Sequence, residues 1–162
     1  MIFLTVGTQL PFLRLVEAVE GWAGQHPDQQ VIAQLGDGGK SPHMTCHRVL
    51  DPSDFRDLCV KADLIVSHAG TGSFLMAHQV DTPLLVMPRR ADLGEHRNDH
   101  QMATAAHFEG RPGVHVVYEA GDVAPSIDRL IAGDGRGPRF ADHADDSLIT
   151  AIRDVVFAHG AP

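Results

Sequence analysis

Cysteine is scarce in this chain. Cys46 and Cys59 are its two, and they form neither a CxxC nor a disulfide framework. That excludes a disulfide-stapled secreted scaffold and reads as two buried thiols in a reducing cytoplasm. Basic residues are also in short supply, with 13 Lys and Arg against 21 Asp and Glu and a formal net charge of −8. Binding a phosphate backbone needs clustered Lys and Arg, so a nucleic-acid role is excluded. No apolar run approaches the roughly 20 residues that span a bilayer, and the stretch from Pro83 to Pro88 is far too short. Met1-Ile2-Phe3-Leu4 lacks a basic flank and a cleavage site, and reads as a first strand rather than a signal peptide. There is no internal repeat and no low-complexity tract.

What is present is alternation. Ile2 to Val6, Val31 to Leu35, Ala62 to Val66, Thr82 to Pro88 and Val114 to Tyr118 are runs of strand length. Met44 to Leu50 is less apolar and predicts a strand near an edge. Between these runs lie helical patterns: Phe12, Leu15, Val16 and Val19 after Pro11, and Phe55, Leu58, Cys59 and Ala62 after a start at Asp51-Pro52. A helix is expected over Val123 to Ile131. Strands that alternate with helices predict a doubly wound, Rossmann-like α/β domain with a parallel sheet. At 162 residues this is one domain, expected over 1–132. Gly133 to Pro138 reads as part of a linker over 133–140. An amphipathic helix of about Asp142 to Ala158 follows within 141–162, with Leu148, Ile152 and Val155 on one side. Such a helix either covers its own sheet or lies across a partner.

Parallel sheets bind ligands at the carboxyl ends of their strands. Gly7-Thr8, Gly36-Asp37, Ser67-His68 and Pro88-Arg89 all fall at those ends and converge on one rim. The richest of these places is Ser67-His68-Ala69-Gly70-Thr71-Gly72-Ser73, which joins a buried strand to a helix. Backbone N–H groups at a helix start, reinforced by the helix dipole, form a seat for phosphate. Gly70 and Gly72 allow close backbone approach, Thr71 and Ser73 offer hydroxyls, and His68 can donate to an anionic oxygen. An ordinary strand-to-helix turn would use the same glycines for geometry alone.

The order of motifs carries more than any one of them. His68-Ala69-Gly70-Thr71-Gly72-Ser73, the Pro-bounded strand from Pro83 to Pro88, and Asp99-His100-Gln101 follow one another as they do in the glycosyltransferase family 28 C-terminal domain, the donor-binding half of GT-B transferases. The chain resembles that family from Met1 to about Ile131, and its size resembles the stand-alone donor subunits of two-part transferases. The resemblance implies a UDP-sugar donor, no cofactor and no bound metal. It also implies a membrane-associated partner protein that supplies the acceptor half and recruits this chain to the cytoplasmic face. By the same resemblance, Ser67, His68, Gly70, Thr71, Gly72 and Ser73 form the pyrophosphate turn, with His68 stabilising the leaving group. Gly7 and Thr8 border the phosphates, and His100 and Gln101 meet the hydroxyls of the sugar. The base would lie against backbone groups near Val49 and Leu50, and the general base would come from the partner.

One position departs from the family. The glutamate that holds the ribose there is Met76 here, with Gln79 one turn further on. The implied function is the donor-binding subunit of an inverting transferase of exopolysaccharide or lipid-linked glycan synthesis. The alternative is a non-catalytic nucleotide-sugar-binding or scaffold protein of the same fold. A sugar-nucleotide epimerase shares the architecture but carries both halves in one chain. Three further features admit two readings each. His96 and His100 have the spacing of a helical metal pair without a third ligand in register. Arg89, Arg90 and Arg97 form either a solvated loop or a phosphate grip. Asp99 is either a base or a helix cap.

Overall fold

The structure is a computed structural model and describes residues 1–37 and 39–134. Strands β1 (Ile2–Thr5), β2 (Val31–Gln34), β3 (Thr45–His47), β4 (Leu64–His68), β5 (Leu84–Met87) and β6 (Val114–Val116) form one sheet in the order β3-β2-β1-β4-β5-β6. Every pairing is parallel, with Thr5 level with Gln34 on one side and Ser67 on the other. Helices α1 (Leu13–Gln25), α2 (Pro52–Lys61), α3 (Thr71–Val80) and α4 (His100–Phe108) lie on crossovers between strands, and α5 (Val123–Arg129) follows β6. This is a Rossmann-like doubly wound half-domain.

Strand side chains alternate between faces, and a sheet covered on both sides must be apolar on both. Ile2, Leu4, Val66, Leu85 and Met87 pack with Leu15 and Trp22 of α1 and Ile127 of α5. Phe3, Ile65, Leu84 and Val86 pack with Cys59 of α2, Phe74 of α3 and Phe108 of α4. Each such side chain contributes about 1.5–3 kcal/mol on burial. Trp22 donates its Nε1–H to Asp128 Oδ1 at 2.7 Å, tying α1 to α5.

Several expected boundaries move. β1 ends at Thr5 and β2 at Gln34, because the backbone turns at Gly7 (φ 78°) and Gly36 (φ 60°). The Met44 to Leu50 strand contracts to the three residues of β3, which is an edge strand as expected. β6 stops at Val116, although Val117 still donates to Val86 O at 2.9 Å. His68 is the last residue of β4 rather than a residue beyond it. After α5 the chain widens into a π-helical turn, Leu130–Asp134, in which Gly133 takes φ 106°. The rest of the expected linker and the helix Asp142 to Ala158 lie outside the described residues. Among the described residues no helix is long and apolar enough to cross a membrane. Cys59 is buried, and burial pushes its thiol up to about 12. Cys46 is half-buried, which corrects the reading of both thiols as core residues.

Candidate functional site

The strand order places a switch point at β1. The chain winds outward from β1 through β2 and β3, then returns to β4 and winds the other way. Loops leaving β1 and β4 therefore diverge, and a crevice opens at their carboxyl ends. A cavity of about 260 Å³ sits there, lined by Gly7, Thr8, His68, Gly70, His100 and Gln101, together with Val6, Gln9, Leu10, Arg89 and His96. Six of the expected site residues are thus brought together. Ser67, Thr71, Gly72 and Ser73 do not line the cavity.

The His68 ring is held between two glycines. A Cβ built on Gly70 would come within 2.4 Å of Nε2, and one built on Gly7 within 3.0 Å of Cε1. Burial pushes the imidazole down to about 4 and the charge of Arg89 adds to that, while backbone hydrogen bonding to Thr5 pulls the other way. His68 is therefore neutral at pH 7 and donates one N–H at most. Ser67 is fully buried, and its Oγ lies 2.6 Å from Ser73 Oγ and 3.3 Å from His68 Nδ1. These two hydroxyls are thus engaged with each other across the turn. Gly70 donates to His68 O and Ser73 to Gly70 O, both at 2.9 Å. No side chain caps α3, so the first N–H groups of the helix, on Thr71 and Gly72, have no intrahelical acceptor.

His100 opens α4, and its Nδ1 is hydrogen-bonded to Asn98 Oδ1. An amide oxygen requires N–H at Nδ1, so the neutral ring is an acceptor at Nε2. Gln101 is buried, and its Oε1 accepts the backbone N–H of Arg89 at 3.1 Å, which turns its amide N–H₂ to other partners. His96 lies ahead of α4 rather than on it, which removes the helical metal pair. Its ring meets that of His100 edge-on, centroids 4.5 Å apart. Among the described residues no group of three His, Cys, Asp or Glu is arranged to hold a metal ion.

Arg89 is not a solvated loop residue. It is 2% exposed. Its Nη2 donates to Val6 O at 2.8 Å and Leu10 O at 2.7 Å, and its Nη1 to Pro11 O at 2.6 Å and Glu95 O at 3.5 Å. The guanidinium also stacks on Phe12, 4.7 Å from the ring centroid. It therefore clamps the segment that carries Gly7 and Thr8, and sets a positive charge under the cavity. Glu95 is gripped by Arg14 at 2.7 and 2.8 Å and accepts the Arg90 N–H at 2.9 Å, fixing the loop that carries His96. Arg90 pairs with Asp92 and Glu119. Nothing in the sequence marked Arg14 or Glu95, whose partners are 81 residues apart.

Other expected roles fare unevenly. Asp99 precedes α4 without a side-chain cap bond, and its Oδ1 accepts the Ala91 N–H at 2.8 Å instead. Leu50 donates its N–H to Gln34 Oε1 at 2.9 Å, so that N–H is already engaged where a base was expected. Met76 is half-buried against the apolar cluster under α3, and Gln79 is exposed.

A parallel sheet of this order, with a glycine turn entering a helix at the switch point, defines a Rossmann-like half-domain with its ligand crevice at the β1–β4 rim. The model of the glycosyltransferase family 28 C-terminal domain matches residues 1–128, and the chain belongs to that family. No curated protein matches it. Among solved structures it is similar to the glycotransferase of kitacinnamycin, with TM-score 0.62 and 20% identity over 99% of this chain and 40% of that one. It is similar to ALG13, with TM-score 0.65 and 16% identity over 96% of both chains. It is similar to the UDP-GlcNAc 2-epimerase from Neisseria meningitidis, with TM-score 0.60 and 15% identity over 96% of this chain and 42% of that one. At such identities the likeness is one of fold. The chain spans about two fifths of the kitacinnamycin and epimerase structures.

Proposed function

We propose that the chain is the donor-binding subunit of an inverting two-component glycosyltransferase, which moves a hexose or N-acetylhexosamine from a UDP-sugar to a lipid-linked glycan acceptor. One observation carries this reading. In a chain of net charge −8, the switch-point cavity has no carboxylate among its described lining residues, a buried guanidinium beneath it and three imidazoles around it. Such a site favours an anion. The fold shared with ALG13 over 96% of both chains supports a half-domain of this size.

In this reading the diphosphate lies over Gly70 and meets the N–H groups of Thr71 and Gly72, with His68 beside it and Gly7 and Thr8 bordering it. Ser67 and Ser73 hold the turn in shape. His100 accepts a sugar hydroxyl at Nε2 while Gln101 donates through its amide. An acceptor hydroxyl attacks the anomeric carbon, the bond to UDP breaks, and preorganised N–H groups stabilise the charge that develops on the leaving diphosphate. The general base comes from a membrane-associated partner that provides the acceptor half.

The competing reading is a nucleotide-sugar-binding scaffold without transfer, and Met76 favours it, because an apolar side chain half-buried in the core accepts nothing from a ribose. Titration calorimetry and thermal shift with UDP-GlcNAc, UDP-glucose and UDP-galactose test the shared donor site. Binding raises the melting temperature, since the ligand selects the folded state. No heat and no shift at millimolar ligand would remove both readings.

A further inference from the structure

His96 is the cavity residue to which the proposed donor site gives no task. It lines the cavity beside His100, and its Nδ1 is buried without a hydrogen-bond partner among the described residues. A buried unpaired ring nitrogen is costly, and an edge-on contact with a second imidazole does not satisfy it. We propose that His96 is a contact residue for a phosphoryl oxygen in this cavity, and that the anion draws a proton onto the imidazoles as it binds.

The geometry supplies both halves of the argument. His68, His96 and His100 reach one small space from β4, from the loop after β5 and from α4. The charge of Arg89 acts on His68, and its N–H groups are turned to the carbonyls of Val6, Leu10, Pro11 and Glu95. With those donors engaged, Arg89 acts on the cavity it lines through its field. Glu95 offsets that charge in part. The Glu95 carboxylate is held by Arg14 and by the Arg90 N–H, and Asp99 is turned to Ala91. With the cavity empty, a proton on His68 faces the Arg89 guanidinium and two other rings. A dianion reverses that sign: each imidazolium then gains an opposite charge and a second donor nitrogen. Affinity must then rise as pH falls, with net proton uptake on binding.

The inference rests on the donor-site reading only for the identity of the anion, so two probes are used. Sulfate and a UDP-sugar diphosphate both keep their charge across neutral pH, so any pH dependence belongs to the protein. The experiment is calorimetry of each probe in two buffers of different ionisation enthalpy, from about pH 6 to about pH 8, on wild type and His96→Gln. The wild type should take up protons and lose about tenfold in affinity across that window, since one linked proton changes affinity up to tenfold per pH unit. His96→Gln keeps an N–H donor but cannot titrate, so it should bind with a flattened slope. If that variant fails to fold, the His96 Cε1–H resonance of the wild type decides, by moving toward its imidazolium position on sulfate addition. A wild type without proton uptake, or a variant with an unchanged slope, overturns the proposal. Sulfate binding with proton uptake but no UDP-sugar binding would keep this inference and remove the donor reading; UDP-sugar binding without uptake would do the reverse.

Discussion

Gly70 shows how one missing methyl group can shape a site. Its backbone, at φ −87° and ψ 141°, is open to any L-residue, so conformational freedom is not the reason for glycine there. The reason is the His68 ring, which a Cβ would meet at 2.4 Å. Gly70→Ala should leave the fold largely intact, displace the imidazole and weaken UDP-sugar binding about tenfold or more. In a His68→Ala background the same change should cost far less, a coupling of roughly 1–3 kcal/mol in a double-mutant cycle. Additive losses would show that the methyl harms binding by another route. The sequence marks Gly70 as a place for close backbone approach, and that part was legible. That the approaching group is a side chain of the same protein was not, because it depends on how β1 and β4 lie together.

At the scale of elements, the described strands were readable from the sequence pattern, with ends off by up to three residues. The misplaced ends fall where hydrogen bonding continues past regular geometry, as at Val117, or where a positive-φ glycine bends the chain, as at Gly7 and Gly36. Arg89 was not readable. A Pro-Arg-Arg sequence after a strand has the polarity of a surface loop, and its burial depends on carbonyls that arrive from residues about 80 positions earlier. Its removal should be felt by the element it clamps. Arg89→Met leaves the carbonyls of Val6, Leu10 and Pro11 short of donors and should destabilise the fold by about 2–4 kcal/mol in urea titration. Hydrogen exchange should quicken in residues 6–11 first. Arg89→Lys keeps the charge but not the planar fork, and should recover only part of the loss. Full recovery by lysine would mean that charge alone matters.

The whole molecule carries the pH dependence. Folded His68 binds its proton near 4 against 6.5 for the ordinary side chain, so between those values the unfolded chain holds more protons. Stability from this group is complete above about pH 6.5 and is lost as pH falls toward 4, on the order of 3 kcal/mol in total. His115, pushed down by burial and by Arg129, acts in the same direction. Urea unfolding at pH 7 and pH 5 should show a smaller loss for His68→Asn than for wild type, and equal losses would disprove the assignment. Activity also belongs to this scale. The chain alone should bind UDP-sugar and transfer none of it, and transfer should appear on co-expression with an acceptor-half protein. Robust transfer by the lone chain to a soluble acceptor would end the two-component reading. The parallel order of the sheet has one more consequence, and it concerns assembly in time. β1 is the first strand of the sheet in sequence yet lies in the middle of it, with β2 on one flank and β4 on the other. During synthesis β2 and β3 can join β1 early, but its other flank, Ile2–Thr5, waits for Leu64–His68 to emerge. Until then the nascent protein carries an apolar strand with open backbone donors and acceptors, the kind of edge on which chains stick to one another. The seam between β1 and β4 therefore cannot close before His68 has emerged, and a ligand lodged in its crevice is a witness that it has closed.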